Sequence, residues 1–249
     1  MVYHRHMIQI TITYRCRVCG STNIVRNGTN KCGSAQYHCK DCGAHRVLEP
    51  ATGYSARAKR TILDTYKERA SLRGLGRIFG VARQTVLQWL KELMSHLPDL
   101  KDTLLPPQAG DVLELDELWS FVFKKDAKRW LWIALCRRTR QIVAFVIGDR
   151  SEQTCRRLWN KIPEGYRACH SYSDFWDAYQ KVFGTEKHQS VGKESGQTAH
   201  VERWNNTLRQ RLARFVRKTL SFSKSDVYHN IVTKWFIAEY NLELSSLTI

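Results

Sequence analysis

Two apolar runs joined by a short polar turn constrain the fold of this chain more than any other feature. The runs "RWLWIALC" (129–136) and "QIVAFVIGD" (141–149) flank the turn "RRTR". Neither run alternates between polar and apolar residues, which indicates strands that are covered on both faces. The preceding segment "DVLELDELWSFVF" (111–123) does alternate, as a strand with two different faces does. The sequence therefore predicts three consecutive strands, the last two joined as a hairpin.

The elements that follow these strands complete the prediction of the fold. A helix over "SEQTCRRLWNKI", a short strand ending at Asp174, a helix from "FWDAYQKVF" and a long helix opening with "AHVERWNNTLRQRL" come next. Three antiparallel strands, a helix, a further strand and then helices is the order of the ribonuclease-H-like fold. We predict an α/β protein with a ribonuclease-H-like, mixed-sheet catalytic domain over 112–249.

Three acidic residues occupy special places in that order. Asp116 lies in the middle of the first strand, Asp174 ends the fourth strand, and Glu202 lies on a later helix. In this fold such positions come close together. Clustered carboxylates repel one another unless cations neutralise them, and carboxylate oxygens suit Mg²⁺ or Mn²⁺. We therefore predict these three residues as catalytic residues and as the ligands of catalytic Mg²⁺ (or Mn²⁺). Two such ions about 4 Å apart would serve phosphoryl transfer.

Other acids in the same region compete for this role. Glu114 shares a strand face with Asp116 and is the most serious alternative, whereas Glu117 points to the opposite face. Asp149 ends the third strand, where it can begin the next helix together with a serine. Asp177 lies one turn beyond the fourth strand and is expected to be a solvated helix residue.

The N-terminal region carries a metal-ligand pattern. Two Cys-x-x-Cys pairs are separated by 19 residues, which matches a two-knuckle zinc site. The four cysteines are Cys16, Cys19, Cys39 and Cys42. Four protein ligands leave no open position, so this zinc would be structural. Cys32 and His38 lie between the pairs and are weaker candidates, and four unrelated core cysteines are the alternative. We predict a zinc ribbon over 1–50, in which 1–14 form an extra leader.

A helix-turn-helix pattern follows over 51–97, and a proline-rich linker over 98–111. In "ASLRGLGRIFGVARQTVLQWLKEL" (70–93), apolar residues including Ile78 keep a helical spacing, and Gly80 supplies the turn. The second helix presents polar side chains that suit base edges and phosphates. They are Arg83, Gln84, Gln88 and Lys91. An ordinary three-helix unit with a solvated polar face is the alternative.

The charge balance points to a polyanionic partner. The 249 residues include 40 basic and 23 acidic side chains, a net charge of +17. This favours double-stranded DNA over a membrane surface, because neither an apolar anchor nor a secretory signal is evident. We expect a cytoplasmic, nucleoid-associated prokaryotic protein with reduced cysteines.

Several stretches also resemble one known family. "DELWSFV", "YSDFWDAYQ" and "KESGQTAHVERWNNTLRQRLARFVRKTLSFSKS" closely resemble transposases of the insertion-sequence-one family, over nearly all of 112–245. The resemblance implies a DDE transposase with Asp116, Asp174 and Glu202 as its triad. A basic residue seven positions after the glutamate is usual in such enzymes, and here it is Arg209. Asn206 shares its helix face.

The resemblance implies a function as well. The enzyme would bind the terminal inverted repeats of its element, cleave DNA and join it to a target in a metal-dependent reaction. Two ends must be cut together, so we expect a homodimer or a larger synaptic assembly. Two alternatives remain: a DNA-binding repressor that needs none of the acids, and a ribonuclease-H-like, structure-specific nuclease.

Overall fold

The computed structural model describes residues 11–31, 33–48, 53–184 and 186–247. These residues form two compact units, one ending at Lys59 and one beginning at Arg60. Cys32 and residues 1–10 of the leader lie outside the described residues, and 11–14 have no regular secondary structure. In the described ranges, no helix is both long enough and apolar enough to cross a membrane.

The first unit is built on a small antiparallel sheet. Strands β1 (Ile24–Thr29), β2 (Ala35–Cys39) and β3 (His45–Arg46) lie in the order β1-β2-β3. Among the described residues of this unit, Cys16 and Cys39 are the only buried ones. A unit with so little apolar burial needs another source of stability, such as a bound metal.

Three helices precede the large sheet of the second unit. They are α1 (Ala56–Lys67), α2 (Leu72–Phe79) and α3 (Arg83–Met94). Gly80 ends α2 with φ 66°, a left-handed conformation that favours glycine, and so makes the predicted turn. Ile78, which the apolar spacing places inside, is instead 67% exposed, because Leu75 and its neighbours form the inner stripe of this short helix.

The large sheet is mixed, as predicted. Its strands are β4 (Val112–Phe121), β5 (Lys128–Cys136), β6 (Ile142–Gly148), β7 (His170–Ser173) and β8 (His188–Ser190). Their spatial order is β6-β5-β4-β7-β8, in which β4, β5 and β6 are antiparallel neighbours. Strand β7 runs parallel to β4, and β8 runs parallel to β7. The centre of β4 therefore lies beside the end of β7.

Helices cover both faces of this sheet. Helices α4 (Glu152–Lys161), α5 (Glu164–Arg167) and α6 (Asp177–Phe183) contribute to the core that contains Leu113 and Leu115 of β4. Helices α7 (Ala199–Arg211) and α8 (Asp226–Leu247) contribute to the core that contains Leu118. Odd and even positions of β4 thus face different layers.

Helices α1 to α3 share the core of α7 and α8. Ile62, Leu75 and Val86 belong to the same buried cluster as Trp235. The proline-rich segment 98–111 is packed as well: Thr103 is buried in a short 3-10 helix, and Asp111 is buried at its end.

Candidate active site and zinc centre

The four cysteines of the first unit converge on one point. Their sulfur atoms lie within 4.8 Å of one another. The Sγ atoms of Cys16 and Cys42 are 3.7 Å apart, and those of Cys19 and Cys39 are 3.6 Å apart. A tetrahedral zinc ion with Zn–S bonds of about 2.3 Å requires sulfur atoms roughly 3.8 Å apart. The cluster can therefore hold Zn²⁺.

The turn after each cysteine pair explains this convergence. The backbone N–H of Gly20 donates to the carbonyl of Cys16, and that of Gly43 donates to the carbonyl of Cys39, both at 2.9 Å. Both glycines have positive φ, 76° and 70°, which lets each knuckle fold back tightly. His38 stacks on a neighbouring histidine and is not part of the cysteine cluster.

The second unit contains a polar cavity of about 310 Å³ beside the centre of β4. Asp116 of β4, Asp174 directly after β7, and Glu202 in the first turn of α7 all line it. The parallel pairing of β4 with β7 and the packing of α7 on the sheet position these three acids around a common space.

Glu117 also reaches this group of acids. Oxygen atoms of Asp116, Glu117 and Asp174 lie within 4.8 Å of one another, close enough to share a cation. Glu117 does point to the opposite face from Asp116, as expected: its carboxylate accepts hydrogen bonds from the Tyr179 hydroxyl at 2.9 Å and from Nε of Arg150 at 2.6 Å. Alternation along a strand predicts the face of a side chain but not how far the side chain extends, so this contact could not be predicted from the sequence.

The environment of these carboxylates opposes their charge. Burial raises the pKa of Asp116 to about 7, and the negative charges of Glu117, Asp174 and Glu202 contribute to the shift. Burial also raises the pKa of Glu117, with the charge of Asp174 as the next cause. Carboxylates that are both desolvated and crowded are stabilised by a divalent cation. The donor set, three close carboxylates, fits Mg²⁺ or Mn²⁺.

Hydrogen bonds fix the orientation of Asp116. Nδ2 of Asn205 donates to one carboxylate oxygen at 2.7 Å, and the backbone N–H of Glu117 donates to the other at 2.8 Å. The sequence interpretation overlooked Asn205, which is buried on α7. Its position three residues after Glu202, on the same helix face, was the available signal.

Cationic side chains also line this cavity. Arg209, Arg217 and Lys193 all contribute to its wall, together with the exposed Asn206. Nε of Arg209 is buried and has no hydrogen-bond partner among the described residues. Burial lowers the pKa of this guanidinium, and the nearby charge of Arg217 lowers it further. Such a desolvated guanidinium is suited to an anionic ligand such as a phosphate.

Glu114, the strongest competitor, has a different environment. Its buried carboxylate accepts hydrogen bonds from Nε of Arg137 at 2.8 Å and from Nδ1 of His200 at 2.6 Å. It also accepts hydrogen bonds from the backbone N–H groups of His200 and Val201. These contacts occupy both oxygens and attach the N-terminus of α7 to the sheet, where a negative charge is favourable.

The other two alternative acids, Asp149 and Asp177, lie at the starts of helices α4 and α6 and do not line the acidic cavity. Asp149 accepts hydrogen bonds from the hydroxyls of Ser151 and Thr154 at the start of α4. Ser151 itself caps this helix, as the sequence predicted. Asp177 is exposed in the first turn of α6.

The polar residues of α3 are all on the surface. Arg83, Gln84, Gln88 and Lys91 are exposed, which a DNA-reading face requires. Gln88 donates a hydrogen bond to Glu92 at 3.3 Å, and the Lys91 ammonium lies 5.9 Å from the centre of the Tyr228 ring. Their role in DNA binding stays a prediction.

The fold and its two sites define an α/β protein with one thiolate cluster and one carboxylate cluster, each able to hold a metal. A family model described as IS1 transposase matches residues 111–242. The match covers more than half of the 249 residues, including Asp116 on β4, Asp174 directly after β7 and the helix that carries Glu202. The chain therefore belongs to the IS1 transposase family.

Individual relatives agree with this assignment. The chain is 37% identical over 129 residues to the insertion element iso-IS1n protein InsB of Shigella dysenteriae. This match covers 52% of the present chain and 95% of the relative. It is 38% identical over 119 residues to the insertion element IS1 protein InsB of Shigella flexneri, covering 48% of this chain and 88% of the relative. The insertion element IS1 4 protein InsB of Escherichia coli strain K12 is 37% identical over 119 residues, 48% of this chain and 69% of the relative.

Proposed function

We propose that this protein is a DDE transposase that binds the terminal inverted repeats of its insertion sequence and catalyses metal-dependent cleavage and transfer of DNA strands. One observation carries the proposal. In a chain of the IS1 transposase family, Asp116, Asp174 and Glu202 line the same cavity as Arg209, whose buried Nε has no hydrogen-bond partner among the described residues. Carboxylates that can hold metal ions, facing a cation that can hold a phosphate, are what phosphoryl transfer on DNA requires.

The proposed domains follow the sequence interpretation. They are a zinc ribbon over 1–50, a helix-turn-helix domain over 51–97, a linker over 98–111 and a ribonuclease-H-like catalytic domain over 112–249. The strand order β6-β5-β4-β7-β8, with β4 central and parallel to β7, supports the last of these.

Asp116, Glu117 and Asp174, whose oxygens are close enough to share a cation, would hold Mg²⁺ or Mn²⁺. Glu202 lies outside that close group but lines the same cavity, and would complete the ligand set. When bound, such ions activate an attacking oxygen and stabilise the leaving oxygen of an in-line displacement. Asn205 keeps Asp116 in one orientation. Arg209 grips a phosphate of the scissile strand, and Asn206 contacts the same strand at the rim.

The reaction has two chemical steps that share this site. Water first attacks the phosphorus of the phosphodiester at the element end. A bond forms between the water oxygen and phosphorus, and the bond from phosphorus to the 3′-oxygen breaks. The 3′-oxygen takes up a proton and becomes the 3′-hydroxyl of the element, and the flanking strand keeps the 5′-phosphate. That hydroxyl then attacks a phosphodiester of the target, forming one bond and releasing one 3′-hydroxyl of the target. Neither step requires a covalent bond to the protein.

Recognition of the element end is assigned to the N-terminal half of the chain. Arg83, Gln84, Gln88 and Lys91 of α3 would contact bases and phosphates in the major groove, while the structural zinc maintains the ribbon. Because two ends must be joined to one target, a homodimer or larger synaptic assembly performs the reaction.

A strand-transfer assay tests the proposal. Purified protein is mixed with labelled element-end duplex and a target plasmid, with and without Mg²⁺. We expect joined products only with Mg²⁺, and none from Asp116→Asn, Asp174→Asn or Glu202→Gln. Asp177→Asn is the matched control, because this exposed carboxylate lies close to Asp174 in the chain but does not line the cavity.

The same assay separates the alternatives. A repressor would bind the duplex equally well in the wild type and in all three variants, and would form no joined products in any condition. A structure-specific nuclease would cut branched or hybrid substrates without joining them and without a terminal repeat. Strand transfer that persists after neutralising any of the three acids contradicts the proposed function.

A further inference from the structure

A groove of about 910 Å³ lies between helices α2 and α3 and the segment 220–225 that precedes α8. Both walls belong to the same compact unit. Arg73 and Arg77 of α2 and Arg83 of α3 line one wall, and Lys224 lines the other. The segment "SFSKS" (221–225) forms the other wall. The proposed catalytic reaction assigns no role to these residues.

The charge of this groove is one-sided. Its lining includes five cations and no acidic residue in the part of the chain that the structure describes. Arg73, Arg77, Arg83 and Lys224 make no ion pair with any described residue. Unpaired positive charges that line one concave surface repel one another and are stabilised by a polyanion. The groove is therefore complementary to a phosphate backbone.

One partly buried hydrogen-bond network attaches the segment 220–225 to helix α1. The guanidinium of Arg214 donates to the Ser223 hydroxyl at 3.1 Å and to the carbonyl of Tyr228 at 2.8 Å, and it also donates to the hydroxyl of Tyr66 on α1. The carbonyl of Ser223 accepts a hydrogen bond from the backbone N–H of Phe123 at 2.7 Å. The segment 220–225 is thus held beside α1 and the end of β4 before any ligand binds.

The side chains of this segment suit DNA. Ser221 and Ser225 present hydroxyls and Lys224 presents an ammonium at the groove, and all three groups donate to phosphate oxygens. Apolar side chains such as Leu72 and Leu87 form the floor, against which deoxyribose rings can pack. A duplex entered by the second helix of a helix-turn-helix has its backbone beside the first turns of both helices, which is where this groove lies.

We propose that the groove holds one phosphate backbone of the DNA duplex that α3 enters, and that the segment 220–225 forms the second wall of this binding site. The inference rests on the proposed function, because it takes α3 as the DNA-reading helix. Ala213 lines the groove, and Arg217, four residues later, lines the acidic cavity. Residues 213–217 therefore connect the proposed DNA-binding groove with the acidic cavity.

Equilibrium binding tests the inference. The full chain, loaded with zinc, is titrated against a fluorescent element-end duplex at several salt concentrations, and anisotropy is recorded. We expect Lys224→Ala and Arg77→Ala each to weaken binding severalfold and to reduce the slope of log K against log salt by about 0.9 per lost phosphate contact. Lys181→Ala is the matched control, an exposed lysine on α6 that does not line the groove.

A crosslinking experiment identifies the occupant directly. Leu220 is 95% exposed at the groove, so a photoreactive benzoyl-phenylalanine can replace it without disturbing the core. Crosslinks to the labelled duplex support the inference. Crosslinks to a second protein chain, with Lys224→Ala binding DNA as the wild type does, overturn it.

The two proposals fail in different ways. If the wild-type protein does not bind the duplex, the proposed function fails and the inference fails with it. If the wild-type protein binds and joins DNA, but Lys224→Ala and Arg77→Ala retain its affinity and salt slope, the inference alone is wrong.

Discussion

The buried carboxylate of Glu114 accepts a hydrogen bond from the backbone N–H of Val201 at 3.0 Å. It thereby anchors the first turn of α7 to the centre of the sheet, one residue before Glu202. Arg137 and His200 complete its shell. Glu114, the alternative to Asp116 in the sequence analysis, therefore positions α7, the helix that carries the catalytic candidate Glu202.

Removing this anchor tests its contribution to stability. We expect Glu114→Ala to lower the free energy of unfolding by roughly 3 kcal/mol, because it leaves the partners of a buried charge without an acceptor. Urea unfolding measures the change. Glu152→Ala, which breaks an exposed pair with Arg156, is the control and should cost less than about 1 kcal/mol. Equal effects of the two substitutions would contradict the anchoring role.

Replacing Asn205 tests the orientation of Asp116. Asn205→Ala removes the donor at 2.7 Å, so the carboxylate can rotate away from its metal-binding position. We expect strand transfer to fall by roughly 10–100-fold while duplex binding is retained, as for other residues that orient metal ligands. Single-turnover rates measure the effect. Asn160→Ala, an exposed substitution on α4, should retain the wild-type rate, and an unchanged rate for Asn205→Ala would refute the role.

The raised pKa of Asp116 predicts a pH dependence of stability. Its pKa rises from an ordinary 3.8 to about 7 in the folded protein, so the native state binds more protons than the unfolded state between these values. Without divalent ions, the contribution of Asp116 to stability therefore decreases as the pH rises through this window, and little further change follows above about pH 7. Asp116→Asn should flatten this component of a melting-temperature profile recorded in EDTA.

Magnesium should reverse that loss. The ion binds the ionised carboxylates, so we expect it to raise the melting temperature more at about pH 8 than at about pH 5, where protons compete. Scanning fluorimetry with and without Mg²⁺ measures the difference. A stabilisation that is equal at both pH values, or that persists in Asp116→Asn, would argue against this metal site.

Zinc content tests the cysteine cluster. Sulfur separations of 3.6 and 3.7 Å predict one zinc ion per chain, and Cys39→Ser should abolish its retention. A colorimetric assay of the metal released by denaturation measures the ratio. Cys155→Ala is the control, because this buried cysteine lies in the core beside the large sheet. Because the first unit has almost no apolar core, we expect a chelator to unfold it.

Features that depend on neighbouring residues in the chain were predictable. The spacing of Cys16-x-x-Cys19 and its partner pair, the unbroken apolar runs of β5 and β6, and the turn at Gly80 all follow from local geometry. The confirmed mixed sheet follows from the order of these elements. Hydrophobic periodicity and turn preferences depend on residues only a few positions apart, so the features they determine can be predicted from the sequence alone.

Features that depend on distant residues required the tertiary structure. The grouping of Glu202 with Asp116 and Asp174 was expected from the order of the elements, but the distinct environments of Glu114 and Glu117 were not. Both acids are buried in β4; Glu114 meets the first turn of α7, and Glu117 meets Tyr179 and Arg150 beside the acidic cluster. The packing of α1 to α3 against α7 and α8 is a further example.

The sequence by itself determined the elements, the cysteine cluster and the acids worth considering, because each is encoded in short-range pattern and residue chemistry. Only the tertiary structure decided that Glu114 is saturated by Arg137 and α7, that Asn205 holds Asp116, and that "SFSKS" shares a groove with helices α2 and α3. The physical reason is that hydrogen-bond saturation, desolvation and groove shape depend on groups that are distant in the chain, such as Glu114 with Val201 and Asp116 with Asn205, both pairs more than 80 residues apart. Their relative positions follow from packing rather than from local periodicity.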